Sequence, residues 1–169
     1  MPLPSLAEET LEQLSQIVSE AYEAGDYSRA ADFAKRAHDL SRSSLGEQHP
    51  DILARLSELA LLYQYQGRYD LAEPMYEKAL ASQIEVLGKK HPDTLTSLNN
   101  LASLYQEQGR YDLAEPMYEK ALTLQTEVLG GKHPGTLTSL NKLALLYQEQ
   151  GRYDLAEPMS EKALALTAE

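Results

Sequence analysis

Three histidines are the residues of this sequence whose type and spacing most suggest chemistry. His49, His91 and His133 are each followed by proline, and each lies 42 residues from the next. Imidazole nitrogens are common metal ligands, with bonds of about 2.0–2.1 Å to zinc. Equivalent positions of successive helical repeats, however, lie at least about 8–10 Å apart, so neighbouring copies cannot share one ion. We therefore predict no metal site and expect each histidine to cap a helix or to pack under its proline.

Tyrosines and carboxylates are the other candidates for catalysis, and both follow the same step along the chain. Eight of the eleven tyrosines fall at three recurring positions of the later repeats, which is more typical of packing than of chemistry. Glu77, Glu119 and Glu161 recur beside lysines, as on a solvated helix face. No glycine-rich phosphate loop or HExxH motif occurs. A Ser-His-Asp arrangement stays open, although each member would be a repeated framework residue, and we predict neither enzyme activity nor a cofactor.

The composition argues against several classes of partner. Lys and Arg total 15 against 26 Asp and Glu, so the net charge of −11 opposes binding to nucleic acid or to anionic lipid. The chain has no cysteine, which excludes disulfides and fits a reducing compartment. The N-terminal residues carry no secretion signal, and no run of about 18 apolar residues occurs. These features predict a cytoplasmic protein that binds neither nucleic acid nor membrane.

The histidine spacing belongs to a repeat that covers most of the chain. The tripeptide Gly109-Arg110-Tyr111 has copies 42 residues to either side, and a weaker copy is Gly25-Asp26-Tyr27. A fixed period of this size is typical of stacked repeat proteins. We divide the chain into a lead-in at residues 1–10 with a loose end at 1–5, a divergent first repeat at 11–50, a second at 51–92, a third at 93–134 and a truncated or capping fourth at 135–169.

Each repeat contains two helical patterns, which we call helix A and helix B. In the third repeat, helix A carries an apolar stripe from Leu98 to Tyr105. It begins near Pro92, where Asp93 or Thr94 can cap the first backbone N–H groups. Glycine tolerates the left-handed backbone that closes a helix, so helix A is predicted to end at Gly109.

Helix B of the third repeat is predicted to begin after Asp112 and to end at Gly130. Asp112 and Glu115 have the spacing of a capping box. Pro116 then lies near the start of helix B, where it removes one hydrogen bond and loosens only the first turn. A single hairpin of two helices cannot bury its apolar stripes alone, so each must pack on the next.

This pattern of small and large residues resembles the tetratricopeptide repeat family, and the longer 42-residue form is similar to the repeats of kinesin light chains and their bacterial and eukaryotic relatives. The resemblance implies an all-α fold, a right-handed α-solenoid of four stacked antiparallel helix-turn-helix hairpins. It also implies a protein-protein interaction scaffold. The residues that meet the family pattern are Leu98, Leu101, Ala102, Tyr105, Gly109, Tyr111, Ala114, Tyr118 and Ala121.

In the family, the helix A faces line a concave groove that takes a peptide or a partner helix. Asn and Gln amides there would hold an extended backbone, while Leu61, Tyr65 and Leu145 would offer apolar pockets. Lys142 is the one cation of the predicted set, which disfavours acidic ligands. The predicted groove residues are Ser57, Leu61, Gln64, Tyr65, Thr96, Asn99, Asn100, Ser103, Gln106, Glu107, Asn141, Lys142, Leu145 and Gln148, with Ala54 and Thr138 beside them.

A different class of function remains as the alternative. Near-identical repeats could serve as a structural or self-associating spacer segment of a larger repeat protein, forming a homo-oligomer through open repeat ends. Leu164 and Leu166 would then lie at the contact. The array could also be the sensor part of a multidomain regulator, as relatives of this repeat often are.

Overall fold

The computed structural model describes residues 10–168, and within that range the chain forms eight α-helices and no strand. The predicted all-α class is confirmed. The predicted loose end at residues 1–5 lies outside the described residues. None of the described helices is long and apolar enough to cross a membrane. The helices are α1 (Leu11–Glu23), α2 (Tyr27–Leu45), α3 (Pro50–Tyr65), α4 (Tyr69–Val86), α5 (Pro92–Glu107), α6 (Tyr111–Leu129), α7 (Pro134–Glu149) and α8 (Tyr153–Ala168).

The chain divides into two compact units, and the boundary lies within α4, between Ser82 and Gln83. In the first unit, α1 packs on α2, and α2 packs on α3. In the second unit, α5 packs on α6, α6 on α7, and α7 on α8. Each odd-numbered helix is a helix A and each even-numbered helix is a helix B. The packed pairs α1–α2, α5–α6 and α7–α8 are therefore hairpins of the predicted kind.

The three repeated histidines are the N-caps of α3, α5 and α7. In each case the imidazole Nδ1 accepts a hydrogen bond from a backbone N–H two residues later, at 3.1–3.2 Å. This confirms the predicted structural role of His49, His91 and His133. The prediction that Asp93 or Thr94 caps α5 was wrong, because both lie inside the helix and the Asp93 N–H is the group that His91 caps. Among the described residues, no group of three or more acidic or histidine side chains is placed to hold a metal ion.

The start of helix B differs from the prediction. α6 begins at Tyr111, one residue before Asp112, and no side chain caps it. The N-cap position is Arg110, whose guanidinium carbon lies 4.4 Å from the centre of the Tyr105 ring. In the divergent first repeat the same position is Asp26, which does accept a backbone N–H of α2 at 3.0 Å. The third repeat therefore has an arginine–tyrosine contact where the first repeat has a cap.

The predicted helix ends are confirmed by the backbone. α5 is closed by Gly109 at φ 71° and α6 by Gly130 at φ 86°, which is the left-handed region that favours glycine.

α6 continues without interruption through Pro116. Since the helix begins at Tyr111, this proline lies near the end of its second turn, and the break is limited to the one hydrogen bond that proline cannot donate.

Small and large side chains alternate in the core. In the first unit, α2 presents Ala30, Ala31 and Ala34 to Val18 of α1 and Leu59 of α3. Alanine lets helix axes approach closely.

The packing role predicted for the repeated tyrosines is confirmed by Tyr76 and Tyr118, which are fully buried, and by Tyr105 and Tyr147, which are buried. It does not extend to Tyr153, which is exposed, whereas Tyr63, Tyr69 and Tyr111 are half-buried.

Replacing one histidine cap tests its contribution to stability. His91→Ala removes the acceptor of the Asp93 N–H, and we expect the free energy of unfolding to fall by about 1 kcal/mol. His91→Asn supplies another good capping side chain and should retain most of that stability. Urea denaturation followed by circular dichroism measures both variants. Equal stability of the alanine variant and the unchanged chain would show that the cap contributes nothing.

Candidate functional site

Three of the predicted groove residues are buried and bonded within the protein. Asn99 is only 5% exposed, and its Nδ2 donates to Ser139 Oγ at 2.6 Å. Gln64 Oε1 accepts a hydrogen bond from Tyr76 OH at 3.0 Å. Ser57 is also buried and donates to a carbonyl one helical turn earlier. The bonds of Asn99 and Gln64 join different helices, and all three side chains have little surface to offer a ligand.

Five other predicted residues come together around one cavity in the second unit, between the facing surfaces of α5 and α7. Its volume is about 420 Å³. The remaining predicted residues of this unit, Thr96, Asn100, Asn141 and Gln148, are exposed or half-buried and lie outside the cavity lining. The lining residues are the predicted Ser103, Gln106, Glu107, Lys142 and Leu145 together with Tyr111, Tyr118 and Glu149.

A short chain of hydrogen bonds fixes the polar side of this cavity. Tyr118 OH donates to Gln106 Oε1 at 3.0 Å, and Gln106 Nε2 donates to Glu149 Oε2 at 2.9 Å. The ammonium of Lys142 lies 5.9 Å from the centre of the Tyr118 ring. The apolar wall is formed by Leu145, which is 49% exposed. The cavity therefore combines an ordered polar edge with an open leucine.

Two groups in the cavity have shifted pKa values. Burial lowers the pKa of Lys142, against the opposing effect of the Glu107 charge. Burial also raises the pKa of Tyr118 to about 12; a hydrogen bond with Ser103 opposes this, and the charges of Glu107 and Glu149 add to it. Tyr118 is thus a neutral hydrogen-bond donor at physiological pH. The charged groups of the lining are two carboxylates and one amine.

A smaller cavity of about 240 Å³ lies in the first unit, between α1 and α3. Leu61 is the one predicted groove residue in its lining. Burial raises the pKa of the Glu58 carboxyl group in its wall, and the Arg55 charge opposes that shift. The lining residues are Ser15, Val18, Ser19, Tyr22, Glu58, Leu61 and Leu62.

Beside this smaller cavity, Tyr22, Tyr27 and Tyr65 form a cluster. Their ring centres lie 4.9–5.8 Å apart, and the hydroxyls of Tyr22 and Tyr65 are 3.3 Å apart. Tyr65, one of the predicted groove residues, is 45% exposed. Tyr22 was not among the predicted residues. The available signal was that Tyr22, like Tyr65, falls outside the recurring tyrosine positions.

Comparison with known proteins identifies the family. The tetratricopeptide repeat family matches residues 19–85, 52–127 and 93–169. The chain is a tetratricopeptide repeat protein. The predicted family is therefore confirmed, and its members are generally protein-interaction modules.

Solved structures place this tetratricopeptide repeat (TPR) protein near kinesin light chain-like proteins. BtubC (BKLC) from P. vanneervenii is 30% identical with a TM-score of 0.80; the match covers 92% of this chain and 61% of BtubC. A putative kinesin light chain from Podosopora anserina, with nearly identical TPR-like repeats, is 28% identical with a TM-score of 0.75, and the match covers 99% of this chain and 79% of that one. The predicted TPR solenoid class and its kinesin-light-chain-like form are confirmed.

The apo form of RapI has the same fold at lower identity. It is 18% identical with a TM-score of 0.79, and the match covers 97% of this chain and 59% of RapI. At that identity the likeness shows the fold alone. No curated protein matches the TPR chain significantly.

Two asparagines at the same repeat position test which polar residues support the fold. Asn99→Ala removes the buried hydrogen bond to Ser139, and we expect a loss of about 1–2 kcal/mol in the free energy of unfolding. Asn141→Ala, the matched exposed position, should change it by no more than about 0.5 kcal/mol. Urea titrations of both variants measure the difference. Equal losses would mean that burial of Asn99 does not decide its role.

Proposed function

We propose that this TPR chain is a non-enzymatic interaction scaffold that binds a peptide or a partner helix, with the cavity of the second unit as a principal contact. The observation that carries the proposal is the 420 Å³ cavity between α5 and α7. The packing of the repeat leaves it open. Peptide-binding sites of this size combine apolar pockets with a few oriented polar groups.

The surrounding surface suits a polypeptide ligand. The amides of Asn141 and Gln148 are exposed on α7, and each can donate to and accept from a peptide backbone. Leu145, exposed on the same helix, would take an apolar side chain of the partner. Thr96 and Asn100 on α5 extend the polar surface. Polar groups would give orientation, and the leucine would contribute buried apolar area.

Membership of the TPR family, whose members are typically scaffolds, supports the absence of enzyme activity in this proposal. We also propose a cytoplasmic location. The absence of cysteine from all 169 residues is compatible with a reducing compartment.

Peptide selection tests the proposed groove. Random 12-residue peptides displayed on phage are selected on the full chain, and the affinities of the recovered peptides are measured by fluorescence anisotropy. Leu145→Ser removes the apolar wall, and we expect roughly fivefold weaker binding, the effect of losing about 1 kcal/mol. Leu113→Ser is the matched control, because Leu113 is exposed on α6 but does not line the cavity.

Two outcomes would count against the groove. One is that no peptide is recovered from the library at micromolar affinity. The other is that the Leu145 and Leu113 variants bind the recovered peptides equally well, which would place the contact elsewhere on the chain.

Self-association is a second candidate function, favoured by one observation on α8. Leu164 is 70% exposed, whereas Leu122, its equivalent one repeat earlier on α6, is half-buried. Tyr153, about three helical turns before Leu164 on the same side of α8, is also exposed. Exposed apolar groups of this kind on one helix mark a surface that can pack against another helix. A homo-oligomer joined through α8 would make the chain a spacer rather than a receptor.

Light scattering over a range of concentrations distinguishes this candidate. If α8 joins two copies, the mass should rise with concentration, and Leu164→Glu should return it to the monomer because a carboxylate would be buried in the contact. Leu40→Glu is the control, since Leu40 is exposed on α2, in the first unit. A monomer at all concentrations, or equal effects of both variants, would exclude association through α8.

A further inference from the structure

We propose that the segment bound by this chain is basic, and that one of its Lys or Arg side chains enters the cavity of the second unit beside Glu107 and Glu149. This inference rests on the proposed peptide-binding function and adds the chemistry of the ligand. It is carried by the charge, the shape and the aromatic lining of the cavity.

The charges of the lining favour a cation. Glu107 and Glu149 contribute two negative charges, and Lys142 contributes one positive charge that faces Glu107. Glu149 is held by the hydrogen bond from Gln106, so a ligand need not order it. The whole chain carries a net charge of −11, which draws basic segments toward it and repels acidic ones.

The walls fit the rest of a Lys or Arg side chain. Such side chains have an apolar stem that packs on apolar surface while the charged head stays among polar groups. Leu145 offers that surface, and the half-buried Tyr111 presents an aromatic ring in the same lining. A guanidinium or ammonium over a tyrosine face is attracted by the electron density of the ring.

The second unit already contains this arrangement in its own framework. The guanidinium of Arg152 lies 4.5 Å from the centre of the Tyr147 ring, and its Nη1 donates to Glu115 Oε2 at 2.7 Å. Here one arginine of the chain contacts both a tyrosine ring and a glutamate carboxylate. The cavity also places tyrosines beside Glu107 and Glu149, with Lys142 as the cation already in the lining, and a partner would add a second cation.

The smaller cavity of the first unit shares three features with the cavity of the second unit. Glu58 lies in its wall with Tyr22 and Leu61, so a carboxylate, an aromatic ring and a leucine again line one small space. Burial disfavours the ionised form of Glu58 and raises its pKa. A cationic side chain beside it would stabilise that ionised form.

An anionic ligand held by Lys142 is the opposing hypothesis. A single amine would have to hold the anion against the two carboxylates of the same lining. The burial that lowers the pKa of Lys142 also makes its charged form less favourable. The balance of charge therefore favours a basic partner, and substitution of Lys142 separates the two hypotheses by the sign of its effect.

The experiment uses the peptides selected on the full chain from the random 12-residue library. We expect them to contain more Lys and Arg than Asp and Glu, and to bind more weakly as salt is raised from low to physiological concentration. Glu149→Gln should weaken binding roughly threefold or more, as expected for loss of one ion pair. The glutamine that replaces Glu149 keeps an acceptor oxygen for the Gln106 amide. Lys142→Gln should strengthen binding, because it removes the competing cation.

Glu161→Gln, an exposed carboxylate of α8 outside the cavity, is the matched control and should leave affinity unchanged. Selection of acidic or neutral peptides whose binding depends on Leu145 would overturn the basic ligand and leave the peptide-binding function standing. Weaker peptide binding by the Lys142→Gln variant would likewise overturn the basic ligand and leave the peptide-binding function standing. Failure to select any peptide, or binding that is insensitive to Leu145, would overturn both.

Discussion

The close packing of alanines from one helix against its neighbours is the interaction on which the rest of this structure depends. Ala114 and Ala121 are fully buried on α6, and Ala72 and Ala79 are fully buried at the equivalent positions of α4. Because alanine leaves so little distance between helices, large side chains such as Tyr118 can fill only the spaces beside these contacts. A hairpin cannot cover this surface alone, so each repeat requires a neighbour. These alanines recur every 42 residues, so the same contact is available in each of these copies.

Packing also explains how far the fold could be predicted. The helices, their order and their glycine ends follow from periodicity and from backbone conformation, which are local properties of the sequence. The N-cap residues were harder to predict. Asp112 has a favourable capping propensity, but it lies one residue inside α6. Arg110 occupies the cap position and contacts Tyr105 of the preceding helix. At this position a contact between helices, and not the local propensity for capping, accompanies the start of the helix.

The candidate site was predictable in part, for the same reason. A polar residue on a helix face looks alike in sequence whether it meets a ligand or another helix. Gln64 and Asn99 are buried because Tyr76 and Ser139 reach them from neighbouring helices, and neither contact can be inferred from helical spacing. Leu145, by contrast, is an apolar residue on a face whose other copies are not all apolar, and it lies at the surface as expected.

Differences between copies of the repeat therefore say more about binding than the repeated residues do. Ser103 and Leu145 are equivalent positions, and so are Glu107 and Glu149, yet all four line one cavity. None of these four side chains belongs to the buried apolar core. Substitutions there can change the charge and shape offered to a partner while the alanine and tyrosine contacts stay intact. The constraint that makes the repeats alike is thus separate from the surface on which they can differ, and a shared TPR fold does not by itself determine the ligand.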